Sequence, residues 1–166
     1  MAEEYVKIKR SQLATFLNTT PGGASETWVR FGKGVTSQSI AYNPTINTEQ
    51  YIDEDNATSS VDSYAPTINT PLVCYKGEPV FEYVNGLRRN RAIGNDAITD
   101  ILIVEIYDKT GDNYVAEKQH CAIAVTDFGG ESGNPVSLTF DINYIGDPIK
   151  GNCTITNGTP TFTASK

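Results

Sequence analysis

The second half of the chain is written in a two-residue period, and that period leaves room for little besides antiparallel β-structure. From Val136 to Tyr144, Val136, Leu138, Phe140, Ile142 and Tyr144 alternate with Ser137, Thr139, Asp141 and Asn143. Successive side chains of a strand point to opposite faces, so this segment predicts one buried face and one wet face. Ile149, Gly151, Cys153 and Ile155 alternate in the same way with Lys150, Asn152, Thr154 and Thr156, and a last strand over Thr159–Ala164 carries Phe162. Upstream, Ile101-Leu-Ile-Val-Glu-Ile-Tyr107 is apolar on both faces and reads as a central strand sandwiched between layers. The turn Asp108–Asn113 returns it into Tyr114–Asp127, where Val115, Cys121, Ile123 and Val125 share one face.

One segment has a helical period instead. Val80, Val84 and Leu87, with Phe81 beside them, form an apolar stripe. Pro79 suits the first helical position; Glu78 and Glu82 lie at the positive end of the helix dipole, and Arg88, Arg89 and Arg91 at the negative end. These signals predict a helix over about 79–92, closed by Gly94. Gly86 inside it costs about 1 kcal/mol relative to Ala, which packing must offset.

The first half is less regular. Residues 1–25 end in the turn-rich Asn18-Thr-Thr-Pro-Gly-Gly23 and read as a basic arm or linker carrying Lys7, Lys9 and Arg10. Between Val35 and Tyr75 there is no Lys or Arg, while Glu49, Asp53, Glu54, Asp55 and Asp62 supply acid. Inside that region Tyr42-Asn-Pro-Thr-Ile-Asn-Thr48 and Tyr64-Ala-Pro-Thr-Ile-Asn-Thr70 agree at six of seven positions, 22 residues apart. We read the repeats as two extended strands joined by the Asp53–Asp55 turn, each with a proline at a strand start or edge, forming a long protruding hairpin.

Composition narrows the function classes. The chain has 166 residues, 39% hydrophobic and 20% charged, which fits one domain with a real core. No apolar run approaches the roughly 20 residues needed to span a bilayer, so no membrane role is expected. The first ten residues, acids leading, do not have the form of a signal peptide, and synthesis in a cytoplasm is expected. Cys74, Cys121 and Cys153 are odd in number and widely spaced, which suits buried thiols better than a disulfide framework. A net charge of −7 disfavours a grip on nucleic acid, which requires clustered cations against phosphate.

Chemistry-bearing patterns are sparse. His120 and Cys121 are strand neighbours and must face apart, which excludes a Cys-His nucleophile. There is no Cys-x-x-Cys or paired His for zinc. The acidic run from Asp53 lacks the Gly and Glu of a calcium loop, Thr58 and Tyr64 standing in their places. The acids otherwise sit in turns and on scattered strand positions, with no carboxylate pair set for glycoside chemistry. We expect no catalytic residue, no metal and no cofactor. The Arg88-Arg89-Asn-Arg91 cluster is the one basic patch, read either as helix-end complementarity or as ion pairing to an acidic neighbouring subunit.

Several stretches, taken in order, resemble the major tail tube proteins of long-tailed bacteriophages. They are Trp28 near an early strand, Asn43-Pro44, Tyr64-Ala-Pro66, Gly77-Glu-Pro-Val-Phe-Glu-Tyr-Val-Asn-Gly-Leu-Arg-Arg89, Gly94-Asn-Asp-Ala97, Asp127-Phe-Gly-Gly130, Gly146-Asp-Pro148, Gly151 and Gly158-Thr-Pro-Thr-Phe162. The resemblance covers about 26–163 and implies a mainly β, sandwich- or barrel-like fold with one flanking helix. It divides the chain into an arm (1–25), a tail tube body (26–163) and a short end (164–166). It further implies a structural, non-enzymatic role in the virion tail: six copies per ring, and stacked rings forming a hollow conduit for DNA during infection. Assembly in the host bacterial cytoplasm and partners such as tape measure and tail terminator proteins follow. On that reading Ser137, Thr139, Asp141, Asn143 and Glu49 are candidates to line the lumen. Lys7, Lys9, Arg10, Asp53, Glu54, Asp55, Arg88, Arg89 and Arg91 are candidates for contacts between subunits. The competing reading is a non-viral β-sandwich interaction module, an adhesin or carbohydrate-binding domain. It is weakened by the lack of an aromatic platform, Trp28 being the single tryptophan.

Overall fold

The computed structural model describes residues 4–166. Its spine is the strand the sequence marked as apolar on both faces. This strand spans Ile98–Thr110 and, through the Gly111-Asp112 turn, pairs antiparallel with a second one, Asn113–Gly129. In chain order these are β7 and β8. The alternate residues of β7 serve two cores. Ile101 and Ile103 join Leu17, Ile68, Leu72, Cys121, Ile123, Leu138, Phe140 and Ile142 on one side. Leu102 and Val104 join Ala14, Phe16, Ala116 and Cys153 on the other.

The remaining strands arrange themselves around this pair. β1 (Leu13–Asn18) lies antiparallel along β7, with Phe16 opposite Leu102, and β2 (Trp28–Arg30) lies outside β1. On its other edge β8 is shared. Its first part, Tyr114–Lys118, pairs with β10 (Ile149–Thr156), and Cys121–Gly129 pairs with β9 (Ser137–Tyr144). β9 continues into β6 (Thr67–Val73) and β3 (Ser39–Ala41). β11 (Thr159–Ala164) pairs with β10 and lies against β2, so that part of the sheet curls toward closure around the second core. At Gly151 the curl is tight: a Cβ there would come within 2.2 Å of the Thr163 carbonyl oxygen and 2.8 Å of the Phe162 ring. The chain is mainly β with one flanking helix.

That helix, α1 (Pro79–Asn90), covers the first core with Val80 and Val84, both nearly inaccessible. The Glu78 carboxylate accepts from the Phe81 N–H at 2.7 Å, and the Glu82 carboxylate accepts from the Gly77 N–H at 2.8 Å. The expected end at 92 with Gly94 is corrected. The helix stops at Asn90, and Arg91 takes the left-handed conformation at φ 47°. The Arg91 and Ala92 N–H groups donate to the Arg88 and Leu87 carbonyls at 3.1 and 3.0 Å, satisfying the last turn at a local cost of about 1 kcal/mol.

Two further expectations change. The arm is shorter than 1–25, because Leu13–Asn18 is a core strand in which Phe16 and Leu17 are at most 1% exposed. A short strand buried on both faces has no alternation to betray it. Residues 35–75, expected from the sequence as one long hairpin or loop region, hold a shorter hairpin. It consists of β4 (Pro44–Glu49) and β5 (Thr58–Tyr64), which form their own two-stranded sheet, while β3 and β6 belong to the main sheet. The two repeats are therefore not the hairpin's paired strands. Each straddles its waist: Tyr42-Asn43-Pro44 leads from β3 into β4, and Tyr64-Ala65-Pro66 leads from β5 into β6. Proline lacks the N–H that would continue a ladder, and Asn43 turns the chain at φ 46°. The Tyr42 and Tyr64 rings meet edge to face at 6.3 Å.

Phe16→Ala should therefore cost about 3–5 kcal/mol in denaturant unfolding, as expected of a buried aromatic. Ile8→Ala, in the extended and exposed segment before β1, should fall within about 0.5 kcal/mol of the parent.

Candidate assembly surfaces

The wet face of β9 is made by parity. Leu138, Phe140 and Ile142 are fully buried, so Ser137, Thr139, Asp141 and Asn143 all emerge on the opposite side. Their register partners extend that face: Thr67, Asn69 and Pro71 of β6, and Ala122 and Ala124 of β8. Asn69 Nδ2 donates to Asp141 Oδ1 at 2.7 Å. The patch is thus hydroxyl, amide, methyl and carboxylate, with no cation among these positions to hold a phosphate. Where β8 runs past the end of β9, the same strand parity brings Lys118. It is ion-paired to Glu26 and lies 4.0 Å from Asp100, whose other oxygen is 2.8 Å from His120 Nδ1. Glu49 does not join this surface, because it sits on the separate β4–β5 sheet. There the Tyr51 hydroxyl and the Asn47 amide donate to it and hold its carboxyl below the usual carboxylate range.

The β4–β5 hairpin has no core of its own. Ile46 faces Val61 across the ladder and both are more than half exposed. At the tip, the Glu54 N–H donates to the Tyr51 carbonyl at 3.1 Å, and the Glu54 carboxylate accepts from the Tyr51 N–H at 3.3 Å. This leaves Ile52 fully exposed beside Asp53 and Asp55. At the waist, Tyr42, Tyr64, Tyr144, Pro66 and Pro148 line a cleft of about 540 Å³ with Glu117 and Gln119. Burial raises the Glu117 carboxyl and the Tyr144 hydroxyl above their ordinary values, with Glu105 adding to the first and Glu117 to the second. The duplicated tyrosine of the two repeats was the sequence signal for this cleft.

The basic candidates divide. Lys7 and Lys9 lie on the exposed extended segment before β1. Arg10 is used within the chain, donating to the Leu13 carbonyl at 2.6 Å and the Gln38 carbonyl at 3.0 Å. Arg88 is similarly engaged: its Nε donates to Asn85 Oδ1 at 2.9 Å, and its guanidinium lies 3.9 Å from the centre of the Phe128 ring. Phe128 enters the sequence reading only within the Asp127–Gly130 stretch, where nothing links it to Arg88, 40 positions away. Arg89 and Arg91 are exposed, and the ion pairs among the described residues do not include them.

His120 and Cys121 point to opposite faces: the imidazole is exposed and the thiol inaccessible. Burial, with Asp100 adding to it, pushes the Cys121 thiol up to about 12. Among the described residues, no three His, Cys, Asp or Glu side chains converge as metal ligands would. A thiol reagent at pH 8 should accordingly modify the partly exposed Cys74 first. Cys121 and Cys153 should react only once denaturant opens the fold, and fast labelling of Cys121 in the native protein would contradict this arrangement.

No protein-family model matches the chain, and no curated protein matches it. Solved structures do. The chain superposes with a TM-score of 0.61 on a subunit from the tail of an empty GTA (gene transfer agent) particle reconstructed with sixfold symmetry, at 11% identity, covering 95% of this chain and all of that one. A subunit from the sixfold-symmetrised baseplate of an anti-feeding prophage aligns more weakly, with a TM-score of 0.48 and 9% identity over 89% of this chain and 95% of the other. The protein has a tail-tube-like fold. The resemblance read from the sequence thus holds at the level of architecture: a large antiparallel sheet with one helix against it.

Proposed function

We propose that this chain is the structural subunit of a phage-type tail tube. Six copies close into a ring, and stacked rings form a hollow conduit through which DNA passes. The observation that carries the reading is the combination of the tail-tube-like fold with a polar face that has no Lys or Arg at the β9 positions or their register partners on β6 and β8. Turned toward the axis, that face gives phosphates no counter-charge, so DNA slides without adhering.

The sheet supports ring closure in a second way. Its terminal strands, β2 and β3, leave backbone edges that a monomer would have to protect and that adjacent subunits can pair. The β4–β5 hairpin, the segment preceding β1 with Lys7 and Lys9, and the arginines of α1 are the connectors between copies. Work of this kind needs no catalytic residue or cofactor; its partners are further copies and the tail's own tape measure and terminator proteins, and its place is the virion tail.

Electron microscopy of the concentrated, purified protein tests the proposal. Hollow tubes or stacked sixfold rings are expected; a protein that stays monomeric at every concentration contradicts it. Asp141→Lys places a cation on the wet face without touching the core. Tubes should still form, and DNA delivery by particles carrying the variant should fall. Normal delivery through intact tubes would remove this face from the lumen.

A further inference from the structure

Two surfaces of the chain carry complementary, unused chemistry. The first is the hairpin tip, where Ile52 projects into solvent with Asp53, Glu54 and Asp55 following it. None of these acids is ion-paired among the described residues. The second is a groove of about 950 Å³ between the end of α1 and β8, walled by Ile93, Ile98 and Phe128 and rimmed by Arg88 and Arg91. Ile93 is 81% exposed there. Beneath it β8 is a half-open edge: β7 begins at Ile98 opposite Ala122, so the β8 backbone beyond Ala122 has no strand on that side. An exposed aliphatic beside three acids thus has its counterpart in an exposed aliphatic beside the Arg88 and Arg91 rim, with exposed Arg89 on the same last turn of α1.

We infer that the β4–β5 tip of one copy seats in the α1–β8 groove of a neighbouring copy, Ile52 against Ile93 and the Asp53–Asp55 acids against Arg89 and Arg91. The inference rests on the tail-tube reading and names the joint within it. Charge decides the occupant. The exposed apolar segment before β1, Tyr5-Val6-Lys7-Ile8-Lys9, carries the same sign as the groove rim and is repelled by it. The tip is held in shape by its own Tyr51–Glu54 hydrogen bonds, so little ordering is lost on docking. A two-stranded ribbon without a core is marginal by itself in water, and seating its tip gives it the second layer it lacks.

The test is charge reversal with rescue, followed by electron microscopy and sedimentation. Asp53→Lys with Asp55→Lys, and separately Arg89→Glu with Arg91→Glu, should each raise the concentration needed for assembly about tenfold or more. These residues are exposed and have no ion-pair partner among the described residues, so both variants should unfold at the parent's temperature. All four changes in one chain should restore assembly. Independently, Ile52→Cys mixed with Ile93→Cys under oxidation should give a cross-linked pair whose peptides join positions 52 and 93. Unchanged assembly by either charge variant, or failure of the fourfold variant to recover while folded, overturns the joint and leaves the tube reading standing. A parent protein that forms neither rings nor tubes overturns both.

Discussion

Everything in this structure is arranged around the burial of β7 on both faces. A strand that is apolar on one side can face water on the other; Ile101-Leu-Ile-Val104 cannot, and so the chain must supply a layer above and a layer below. Above, α1 supplies Val80 and Val84 over the first core. Below, the sheet curls, bringing Cys153 and Phe162 against Phe16, Leu102 and Val104. The curl depends on Gly151, where the Thr163 backbone and the Phe162 ring occupy the space a side chain would take.

This requirement also sorts the surfaces. Because β8 continues past β10 to pair with β9, the main sheet extends beyond the curled part, and only one of its faces there is covered by the helix. The other face of β9 is left to Ser137, Thr139, Asp141 and Asn143. The hairpin is the opposite case. Neither core reaches it, so its exposed Ile46, Val61 and Ile52 gain partners only from another molecule. One oversized wet face, the terminal strands β2 and β3 and a coreless extension are the reasons we propose a subunit of a larger assembly.

The sequence made part of this legible. β9 could be read residue by residue because one-sided burial writes a period of two. The start of α1 could be read because Glu78 and Pro79 are local signals acting within one turn. Long-range competition hid the rest. β1 reads as arm in the sequence because burial on both faces erases alternation. The sequence signals put the helix end at about 92 with Gly94 closing it, whereas the Arg91 cap closes the last turn, its left-handed strain offset by two hydrogen bonds. The repeats suggested paired strands, but their prolines mark the waist where the chain leaves the main sheet and returns. Among the candidate contact residues, Arg10 and Arg88 are engaged within the chain by the Gln38 carbonyl and Phe128, partners 28 and 40 positions away that no local signal reveals. Glu49 shared only its charge with the β9 face, and charge says nothing of which sheet a residue sits on.

The central claim is that the polar face of β9 is the inner wall of a tube. A helical reconstruction of assembled tubes, at a resolution that separates the β9 side chains, tests it most directly. The account predicts Ser137, Thr139, Asp141 and Asn143 pointing at the axis with α1 outside. A reconstruction with α1 on the axis and the β9 face turned to solvent would contradict it.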